Sequence, residues 1–550
     1  MLPLLGANAG ATGTWGTAIE VPAVPNVGGN SQVLDESCSA PGTCSLIGYY
    51  EDGSGNIQAY VENITGGQTS PAEEIPGFET LNVGGDVGTT MVISCPASGS
   101  CSAGGAYFDS NNNPQAFVVS EVNGQWGNAQ EVPGFSSLNS AGAGSGLFAM
   151  SCSSAGNCSA GGSYADSNGY IQAFITTQTN GNWATAVEVP GTGSLNVNDD
   201  AGLTNIQCDA NGACSAAGFY GTLQKQDGTF VVNEQQGTWQ SAVALPDANL
   251  MSTPGPIDPY GLSCSSVGNC ALVGSYGSAA NVDNAFVANE IGGTWQNATE
   301  LPGVSQTGLV NAGLNAVSCP TNGNCSAAGY VSQGTNVSQP LVASEVNGTW
   351  QSAQPIPGLS SLNVANDANA NTISCASPGN CTTGGFYSST NTIGEAYTAD
   401  EVNGTWANAQ ELPGTAMLNG GGNASIFTVV CAVDDSCVAS GAYTDLSNNS
   451  QSLVDSSAAA FFVPTAPRFK AVSAVAKSIS VSILGATPDG GSVITGYQYS
   501  LNGGTWVNAA GGTSFRIGRL TVGKSYRVAV RAVNAVGDGA SSSSISVKVK

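Results

Sequence analysis

The feature that most constrains this chain is a cysteine pair, C-x5-C, which occurs eight times along its 550 residues. Successive pairs begin 55 to 57 residues apart, and no cysteine is left over. A motif that returns at a fixed period predicts one structural unit per repeat. The pairs are Cys38 with Cys44, Cys95 with Cys101, Cys152 with Cys158, Cys208 with Cys214, Cys264 with Cys270, Cys319 with Cys325, Cys375 with Cys381, and Cys431 with Cys437.

Complete pairing of the cysteines predicts eight disulfides and an oxidising, extracellular compartment. Zinc is the alternative, but a structural zinc site needs four ligands, each pair supplies two, and the chain has no histidine. The lack of histidine also excludes Ser-His-Asp and Cys-His catalysis. Cysteines held in disulfides leave no thiol nucleophile.

Each repeat contains four short apolar segments separated by turn residues. In the second repeat, one segment ends at Cys95, the next runs from Cys101 to Tyr107, the third begins at Gln115, and the fourth begins at Trp126. This pattern predicts four short antiparallel strands. Eight such units predict an all-β fold, an eight-bladed β-propeller over residues 1–463. An open stack of sheets, or two smaller propellers, is the alternative.

The two ends of the repeat array complement each other. Trp15 to Pro22 matches a fourth-strand segment that no other strands precede, and the eighth repeat lacks its own Trp segment. We therefore predict that the N-terminal strand completes the last blade, and that deleting residues 1–25 opens the ring. The chain shows no convincing signal peptide, although its apolar start and Ala7-Asn8-Ala9 indicate that it begins inside one.

Charge divides the chain near residue 464. Up to Pro464 the only basic residue is Lys225, and the other ten Lys and Arg lie between Arg468 and Lys550. Of 37 acidic residues only two lie beyond Pro464, so the first part carries 1 − 35 = −34 and the second 10 − 2 = +8. This break predicts a second domain over residues 464–550. An acidic body repels nucleic acid and anionic lipid, whereas the basic domain suits an anionic polymer, an anionic cell surface or the acidic body itself.

Two resemblances follow from the motifs. The repeat S-C-x3-G-x-C-S-A-G-G-x-Y, followed by Gln-Ala-Phe-Val and E-x-N-G-x-W, resembles repeats of secreted actinobacterial proteins of unassigned function. Residues 465–550 resemble a fibronectin type III domain, through the stretch Asp489 to Tyr497, the tyrosine-corner segment Leu520 to Val528, and Ala532 to Gly537. The resemblance implies a β-sandwich that often accompanies secreted polysaccharide hydrolases.

Carboxylates are the remaining candidates for chemistry. A glycosidase needs only two positioned carboxyl groups, and the non-repeating acids include Asp35 with Glu36, Asp258, and Asp434 with Asp435. We expect no catalytic residues, with Asp199 and Asp200 as the strongest exceptions. The Leu-Asn loops predict a ligand-binding rim formed by Asn82, Asp86, Asn196, Asp199, Asn363 and Asp367.

No cofactor is expected, with calcium as the exception at oxygen-rich turns. The calcium candidates are Asp52, Asp109, Asn111 and Asp166. Turns of this composition also form without a metal, because Asp and Asn side chains accept bonds from the backbone two residues on.

Three functions fit these observations. The first is a secreted, non-catalytic binding or adhesion protein that recognises carbohydrate or a cell-envelope polymer, and is monomeric, without nucleic-acid binding or membrane insertion. The second is a secreted glycosidase with a carboxylate pair. The third is a structural component of a surface layer.

Overall fold

A computed structural model describes the chain except for residues 1–13, 27–28, 67, 141, 143, 224–226, 236, 247–255, 279–281, 305–310, 333–336, 391–392, 459–465, 485–493, 495, 534–538 and 540. The chain divides into two compact units, Met1–Ser457 and Ala458–Lys550. The predicted domain boundary near residue 464 lies outside the described residues. So do Ala7, Lys225 and most of the stretch from Asp489 to Tyr497.

The first unit consists of antiparallel sheets, numbered here 1 to 8 in chain order. Two short strands, β1 (Thr14–Trp15) and β2 (Ile19–Glu20), come first. Sheet 1 is β3 (Ser31–Ala40), β4 (Thr43–Glu51), β5 (Ile57–Thr65), β6 (Gln68–Thr69) and β7 (Glu73–Glu74). Sheet 2, after helix α1 (Phe78–Leu81), is β8 (Val87–Ala97), β9 (Ser100–Phe108), β10 (Pro114–Val122), β11 (Gln125–Trp126) and β12 (Gln130–Glu131). Sheet 3, after α2 (Phe135–Leu138), is β13 (Gly146–Ser154), β14 (Asn157–Ala165), β15 (Ile171–Thr179), β16 (Asn182–Trp183) and β17 (Val187–Glu188).

Sheet 4 follows α3 (Thr192–Leu195) and is β18 (Ala201–Cys208), β19 (Cys214–Gly221), β20 (Asp227–Gln235), β21 (Thr238–Trp239) and β22 (Val243–Ala244). Sheet 5 is β23 (Ile257–Ser266), β24 (Asn269–Ser278), β25 (Val282–Ile291), β26 (Thr294–Trp295) and β27 (Thr299–Glu300). Sheet 6 is β28 (Asn311–Thr321), β29 (Asn324–Ser332), β30 (Ser338–Val346), β31 (Thr349–Trp350) and β32 (Gln354–Pro355). Sheet 7, after α4 (Leu359–Leu362), is β33 (Ala368–Ser377), β34 (Asn380–Thr390), β35 (Ile393–Val402), β36 (Thr405–Trp406) and β37 (Gln410–Glu411). Sheet 8, after α5 (Thr415–Leu418), is β38 (Ala424–Cys431), β39 (Cys437–Thr444) and β40 (Ser450–Ala458).

Each sheet is four-stranded, and its fourth strand is split into two short pieces that both pair with the third strand. The first and second strands of every sheet form the hairpin in which the C-x5-C motif lies. The sequence therefore predicted the all-β repeat correctly.

One disulfide joins the first strand to the second in every sheet, so all eight predicted bridges are present and no cysteine is free. This pairing leaves no thiolate for the zinc alternative. The second cysteine of each pair is buried, and Cys325 is 5% exposed. The bridges join Cys38 to Cys44, Cys95 to Cys101, Cys152 to Cys158, Cys208 to Cys214, Cys264 to Cys270, Cys319 to Cys325, Cys375 to Cys381, and Cys431 to Cys437.

The first strands of consecutive sheets contact one another, and β3 of sheet 1 also contacts β38 of sheet 8. The serine before the first cysteine explains part of this order. Ser37 Oγ accepts a hydrogen bond from the backbone N–H of Cys95 in the next sheet at 2.9 Å, and Ser94 accepts one from Cys152 at 3.0 Å. The Ser-Cys dipeptide thus joins neighbouring sheets while its cysteine closes a hairpin.

Sheet 8 has no fourth strand of its own, and β1 and β2 supply it by pairing with β40. Tyr443 Oη donates to Glu20 Oε2 at 3.1 Å across this pairing. The same Tyr–Glu contact occurs inside other sheets, for example from Tyr107 to Glu131 at 3.1 Å. The N-terminal segment therefore occupies the place that the sequence predicted for it.

The cores of the first unit lie between sheets. Ile47 and Val61 of sheet 1 pack against Ile93 and Phe117 of sheet 2, and equivalent clusters lie between the other neighbouring sheets. One four-stranded sheet cannot bury both its faces alone, so each repeat depends on its neighbours for stability. The repeated tryptophans contribute to these cores, and Trp406 is only 5% exposed.

The second unit contains two antiparallel sheets. One is three-stranded, from β41 (Arg468–Val475), β42 (Ser478–Leu484) and β45 (Ser514–Ile517). The other is four-stranded, from β43 (Gly496–Leu501), β44 (Val507–Asn508), β46 (Ser525–Val533) and β47 (Ile545–Lys548). Their buried faces share one core that includes Ile479, Val481, Val528 and Val530.

Across the described residues, no helix is both long and apolar enough to cross a membrane.

Candidate binding site

The end of the first unit where the first strands begin is called the mouth face here. It carries the loops that precede the first strands and the turns between second and third strands. The opposite end, the cysteine face, carries the disulfide hairpins and the turns between third and fourth strands. Polar residues of the repeat have different roles at the two ends.

At the cysteine face, each disulfide closes the hairpin between the first and second strands of its sheet. Cys270 lies opposite Cys264 across β23 and β24, and Cys381 lies opposite Cys375 across β33 and β34. Cys325 belongs to the core between sheets 5 and 6. A bridged sulfur carries no thiolate, so these residues offer neither a nucleophile nor a metal ligand.

The glutamates that precede the Trp in sheets 2, 4, 5, 6 and 7 are buried at the same end. Glu401 of sheet 7 accepts hydrogen bonds from Ser326 Oγ at 3.0 Å and Ser344 Oγ at 3.1 Å, both in sheet 6. Glu121 of sheet 2 accepts one from Asn63 of sheet 1 at 3.3 Å. Burial raises the pKa of both carboxyl groups. These residues join adjacent sheets, which accounts for their repetition.

At the mouth face, the asparagines of the predicted rim are buried. Asn82 Nδ2 donates to the Ile57 carbonyl of sheet 1 at 2.7 Å, and Asn82 Oδ1 accepts from the Phe108 N–H of sheet 2 at 3.1 Å. Asn196 and Asn363 bridge sheets 3 and 4 and sheets 6 and 7 in the same way. The amides are thus engaged within the protein, and ligand binding by these three residues stays a prediction.

The aspartates of the predicted rim are exposed at that end. Asp86 and Asp367 each lie immediately before a first strand, in sheets 2 and 7. Asp199 is exposed too and has a positive φ of 65°, in the loop that leads into sheet 4. The structure places these three carboxylates at the same end of their sheets, but in different repeats.

The turns proposed for calcium are closed by their own backbone. Asp52 Oδ1 accepts hydrogen bonds from the N–H groups of Ser54 at 2.7 Å and Asn56 at 2.9 Å. Asp109 accepts from Asn111 and Asn113, and Asp166 from residues 168 and 170, with the same spacing. No cluster of three or more acidic or cysteine side chains suited to a metal occurs among the residues with described positions. Calcium binding at these turns stays a prediction.

The sequence did not reveal a ring of β-bulges. Every first strand shifts register against its second strand, in seven sheets at the residue four positions before the first cysteine and in sheet 2 just before that position, which leaves extra residues without a partner in the ladder. Such bulges re-aim side chains and often lie beside functional sites. In sheet 2 the shift spans residues 88–90, and in the other sheets the bulge residues are Leu34, Phe148, Thr204, Tyr260, Asn315, Asn371 and Phe427.

A repeated glycine in the second strand makes room for each bulge. A Cβ on Gly385 would collide with the Asn369 carbonyl, and one on Gly441 would collide with the Ser425 carbonyl. The glycine is therefore required because the bulged first strand brings its backbone too close for any side chain. The bulge residues are partly exposed, and Tyr260 is 47% exposed. The first strand is an edge of its sheet, so no strand of the same sheet lies beyond the bulge residues.

A pocket of about 640 Å³ lies at this position beside sheets 1, 7 and 8. Its wall includes the rings of Phe386 and Phe427 and the amides of Gln32, Asn371 and Asn423. Asn371 Nδ2 donates to Ser425 Oγ at 3.0 Å and to the Ile426 carbonyl at 2.8 Å, which fixes the orientation of its amide. Gln32 Nε2 donates to Ser450 Oγ at 2.9 Å. None of the described residues that line the pocket carries a charge.

The side of the mouth formed by sheets 4 and 5 is acidic. Burial, followed by the negative charges of Asp227 and Asp283, raises the pKa of Asp258 to about 6. Burial and the charge of Asp200 raise the pKa of Asp227, and burial raises that of Asp200 itself. The predicted catalytic candidate Asp200 therefore has acidic neighbours. Asp258 was also among the non-repeating acids singled out from the sequence, whereas Asp227 and Asp283 were not.

The comparisons with known proteins leave the family open. No protein-family model matches this chain, and no curated protein matches it. A polysaccharide lyase of family PL25, an ulvan lyase, is 10% identical over 64% of this chain and 89% of its own length, with a TM-score of 0.40. A neuraminidase-like protein of subtype N11 from A/flat-faced bat/Peru/033/2010 is 10% identical over 82% of this chain and 95% of its own, with a TM-score of 0.33.

The twitchin kinase region from C. elegans is 25% identical over 16% of this chain, with a TM-score of 0.15. This chain spans only 17% of the length of that protein. Similarities of this size establish neither a family nor an activity.

Proposed function

We propose that this protein is a secreted, non-catalytic carbohydrate-binding protein that holds an uncharged part of a glycan at the mouth face. In this proposal the first unit is an eight-bladed β-propeller and the second unit is a fibronectin type III domain. The eight disulfides are consistent with an oxidising, extracellular environment.

Two observations support the proposed domains. The contacts between first strands return from sheet 8 to sheet 1, as a closed ring requires. In the second unit, Thr521 N–H donates to Tyr526 Oη at 3.1 Å, which matches the tyrosine corner expected for such sandwiches. The charge break near residue 464 agrees with a boundary between them.

The chemistry of the 640 Å³ pocket carries the functional proposal. Aromatic rings offer an apolar surface on which the C–H face of a sugar packs, and amides offer both donors and acceptors to its hydroxyl groups. Phe386 and Phe427 supply the first. Gln32 and Asn423 supply amide groups, and Asn371 supplies its Oδ1 as an acceptor, because its Nδ2 already donates to Ser425 and Ile426. A pocket that combines apolar walls with a few fixed polar groups is typical of a binding site. Without a carboxylate or other base in this wall, the pocket suits binding rather than hydrolysis.

The test is a glycan array followed by calorimetry with the glycan that binds best. Phe427→Ala should weaken binding by at least about tenfold, because losing an aromatic contact removes roughly 1.5–3 kcal/mol. Phe148→Ala is the matched control, since Phe148 is the bulge residue of sheet 3 and does not line this pocket. Equal losses in both variants, or no glycan bound by the wild type, would refute the proposal.

A glycosidase is the second candidate, and the acidic side of the mouth favours it. A general acid works best when its pKa lies near the working pH, and Asp258 has a pKa of about 6 beside Asp227 and Asp283. Release of reducing sugar by the wild type, and its loss in Asp258→Asn, would support this candidate. Asp199→Asn and Asp200→Asn test the two residues singled out from the sequence. If neither acidic nor neutral polysaccharides release reducing sugar, the glycosidase candidate is refuted.

A further inference from the structure

Glu234 departs from the pattern of the glutamates that precede the tryptophans. It lies on β20 of sheet 4 and is 3% exposed. The carboxyl group of Glu234 accepts no hydrogen bond from a described residue, and burial alone raises its pKa. The glutamates at this position in sheets 2, 5, 6 and 7 each accept a hydrogen bond from the preceding sheet, and they are Glu121, Glu290, Glu345 and Glu401.

The sheet that precedes Glu234 has hydroxyl groups at the positions that supply donors elsewhere. In sheet 7 the equivalent glutamate accepts hydrogen bonds from Ser326 at 3.0 Å and Ser344 at 3.1 Å, which are cross-strand neighbours in sheet 6. The residues at these two positions in sheet 3 are Ser159 and Thr177, which are cross-strand neighbours on β14 and β15. Neither hydroxyl group is hydrogen-bonded to Glu234. The direct contact between sheets is therefore missing here.

A cavity of about 300 Å³ separates these groups. Ser159, Thr177 and Glu234 all line it, at the cysteine face between sheets 3 and 4, and Asn211 lies in the same wall. Among the described residues of this wall, Glu234 is the only one with a charge. A cavity of about 350 Å³ lies at the equivalent position between sheets 6 and 7, but its Glu401 already has two serine donors. The cavity beside Glu234 thus contains an acid that is still open to a ligand.

The size and the polar groups of this cavity suit a small ligand with several hydroxyl groups. One water molecule takes about 30 Å³, so the cavity is far larger than a single bridging water needs. Its volume lies at the lower end of the range of about 300–1,000 Å³ that is typical of small-molecule sites. A buried carboxylate requires hydrogen-bond donors, whereas serine and threonine hydroxyls can both donate and accept. Neighbouring hydroxyl groups of a sugar ring match both requirements, and O–H bonds to a carboxylate are stronger than neutral ones.

We propose that the cavity between sheets 3 and 4 binds one sugar residue, whose neighbouring hydroxyl groups donate to Glu234 and accept from Ser159 and Thr177. A metal ion suits the site less, because the described residues contain no cluster of three or more acidic or cysteine side chains that could hold one. An anionic ligand would be repelled by a carboxylate. The site lies at the opposite end of the sheets from the mouth-face pocket and depends on a separate observation, so it goes beyond the proposed function.

The test is calorimetry on the full-length protein, with the methyl glycosides of glucose, mannose and galactose as probes and n-butylammonium as the comparison ligand. Glu234→Gln should raise the Kd of the hexoside that binds best at least about tenfold, because the amide has no charge and one acceptor fewer. Glu401→Gln is the matched control beside the cavity of similar size, and should change this Kd less than about twofold. Both variants should fold, because Gln178 occupies the same position in sheet 3.

Thr177→Asn tests the cavity without removing the acid. In sheet 5 the residue at this position is Asn289, which donates to the glutamate of sheet 6. The introduced amide should therefore donate to Glu234 and fill part of the cavity. Hexoside binding should fall at least about tenfold, while the melting temperature stays at or above that of the wild type. This variant decides the question even if Glu234→Gln fails to fold.

Four results would overturn the inference. They are no hexoside bound by the wild type, equal losses in Glu234→Gln and Glu401→Gln, unchanged binding in Thr177→Asn, and tighter binding of n-butylammonium than of any hexoside. If binding is lost in Phe427→Ala and kept in Glu234→Gln, the hexoside binds the mouth-face pocket, which overturns this inference and leaves the proposed function standing. The opposite pattern supports the site between sheets 3 and 4, so failure of one site is distinguishable from failure of the other.

Discussion

Glu62 is a buried acid without a partner in the interface that closes the first unit. It lies on β5, is 1% exposed, and neither carboxyl oxygen has a hydrogen-bond partner among the described residues. In the equivalent register, sheets 2 and 4 have Val119 and Val232. Its face of sheet 1 packs against Val438 and Val454 of sheet 8. We predict that Glu62→Met, which keeps an unbranched side chain of similar length, stabilises the first unit.

The size of this stabilisation and its dependence on pH follow from the pKa of Glu62. Burial raises the pKa of Glu62 from 4.5 to about 8. Below pH 4.5 both states hold the proton, so the raised pKa costs no stability there. Between 4.5 and 8 only the folded state keeps the proton, so stability falls as pH rises, by up to about 1.4 kcal/mol per pH unit. From pH 5 to pH 7 this amounts to about 3 kcal/mol, which Glu62→Met should recover.

Urea denaturation followed by tryptophan fluorescence, at several pH values between about 5 and 8, measures this effect. The free energy of unfolding should depend less steeply on pH in Glu62→Met and in Glu62→Gln than in the wild type. Of these two variants, only Glu62→Met also removes the unpaired polar group, because glutamine keeps a polar amide in the buried interface. Glu73→Val, which removes an exposed carboxyl from the same sheet, is the control. If the wild type and Glu62→Met show the same pH dependence, Glu62 is not a neutral buried acid and the reasoning fails.

Two further predictions concern the ring and its bulges. Deleting residues 1–25 should expose the edge of β40 and lower the midpoint of unfolding, and light scattering should show aggregation. If the truncated protein melts at the same temperature as the full-length protein, β1 and β2 do not close the first unit. Gly441→Ala should cost at least about 3 kcal/mol of unfolding free energy, because the added Cβ would collide with the Ser425 carbonyl. Gly496→Ala is the control, and it should cost less than about 1 kcal/mol because a Cβ there meets no atom within 4 Å.

The repeated residues could be read from the sequence because each has one physical task in every repeat. The cysteine spacing predicted a bridged hairpin, and Cys152 and Cys158 lie opposite each other across β13 and β14. The missing Trp segment of the last repeat predicted that the N-terminus would pair there, and Glu20 accepts the Tyr443 hydroxyl in that pairing. Periodicity alone was sufficient for both conclusions.

The site was harder to predict because it depends on where the backbone departs from regular pairing. The Leu-Asn loops suggested Asn82 as a ligand-binding residue, yet its amide bridges two sheets. An alignment of the repeats would show no insertion at the bulge residues. The position four residues before the first cysteine varies between repeats, and it holds Phe148, Thr204 and Tyr260 in three consecutive ones.

The same contrast separates two kinds of carboxylate in the first unit. Glu121 and Glu401 repeat, are buried, and have partners in the preceding sheet, so they contribute to assembly. Asp258 does not repeat, is partly exposed, and has a pKa that acidic neighbours raise further. The sheets repeat one backbone arrangement, so the chemical differences between them come mainly from side chains. The proposed glycan pocket has an uncharged aromatic wall at sheets 7 and 8, whereas the acidic residues that favour the glycosidase lie at sheets 4 and 5, so the two candidate functions can be tested by separate substitutions.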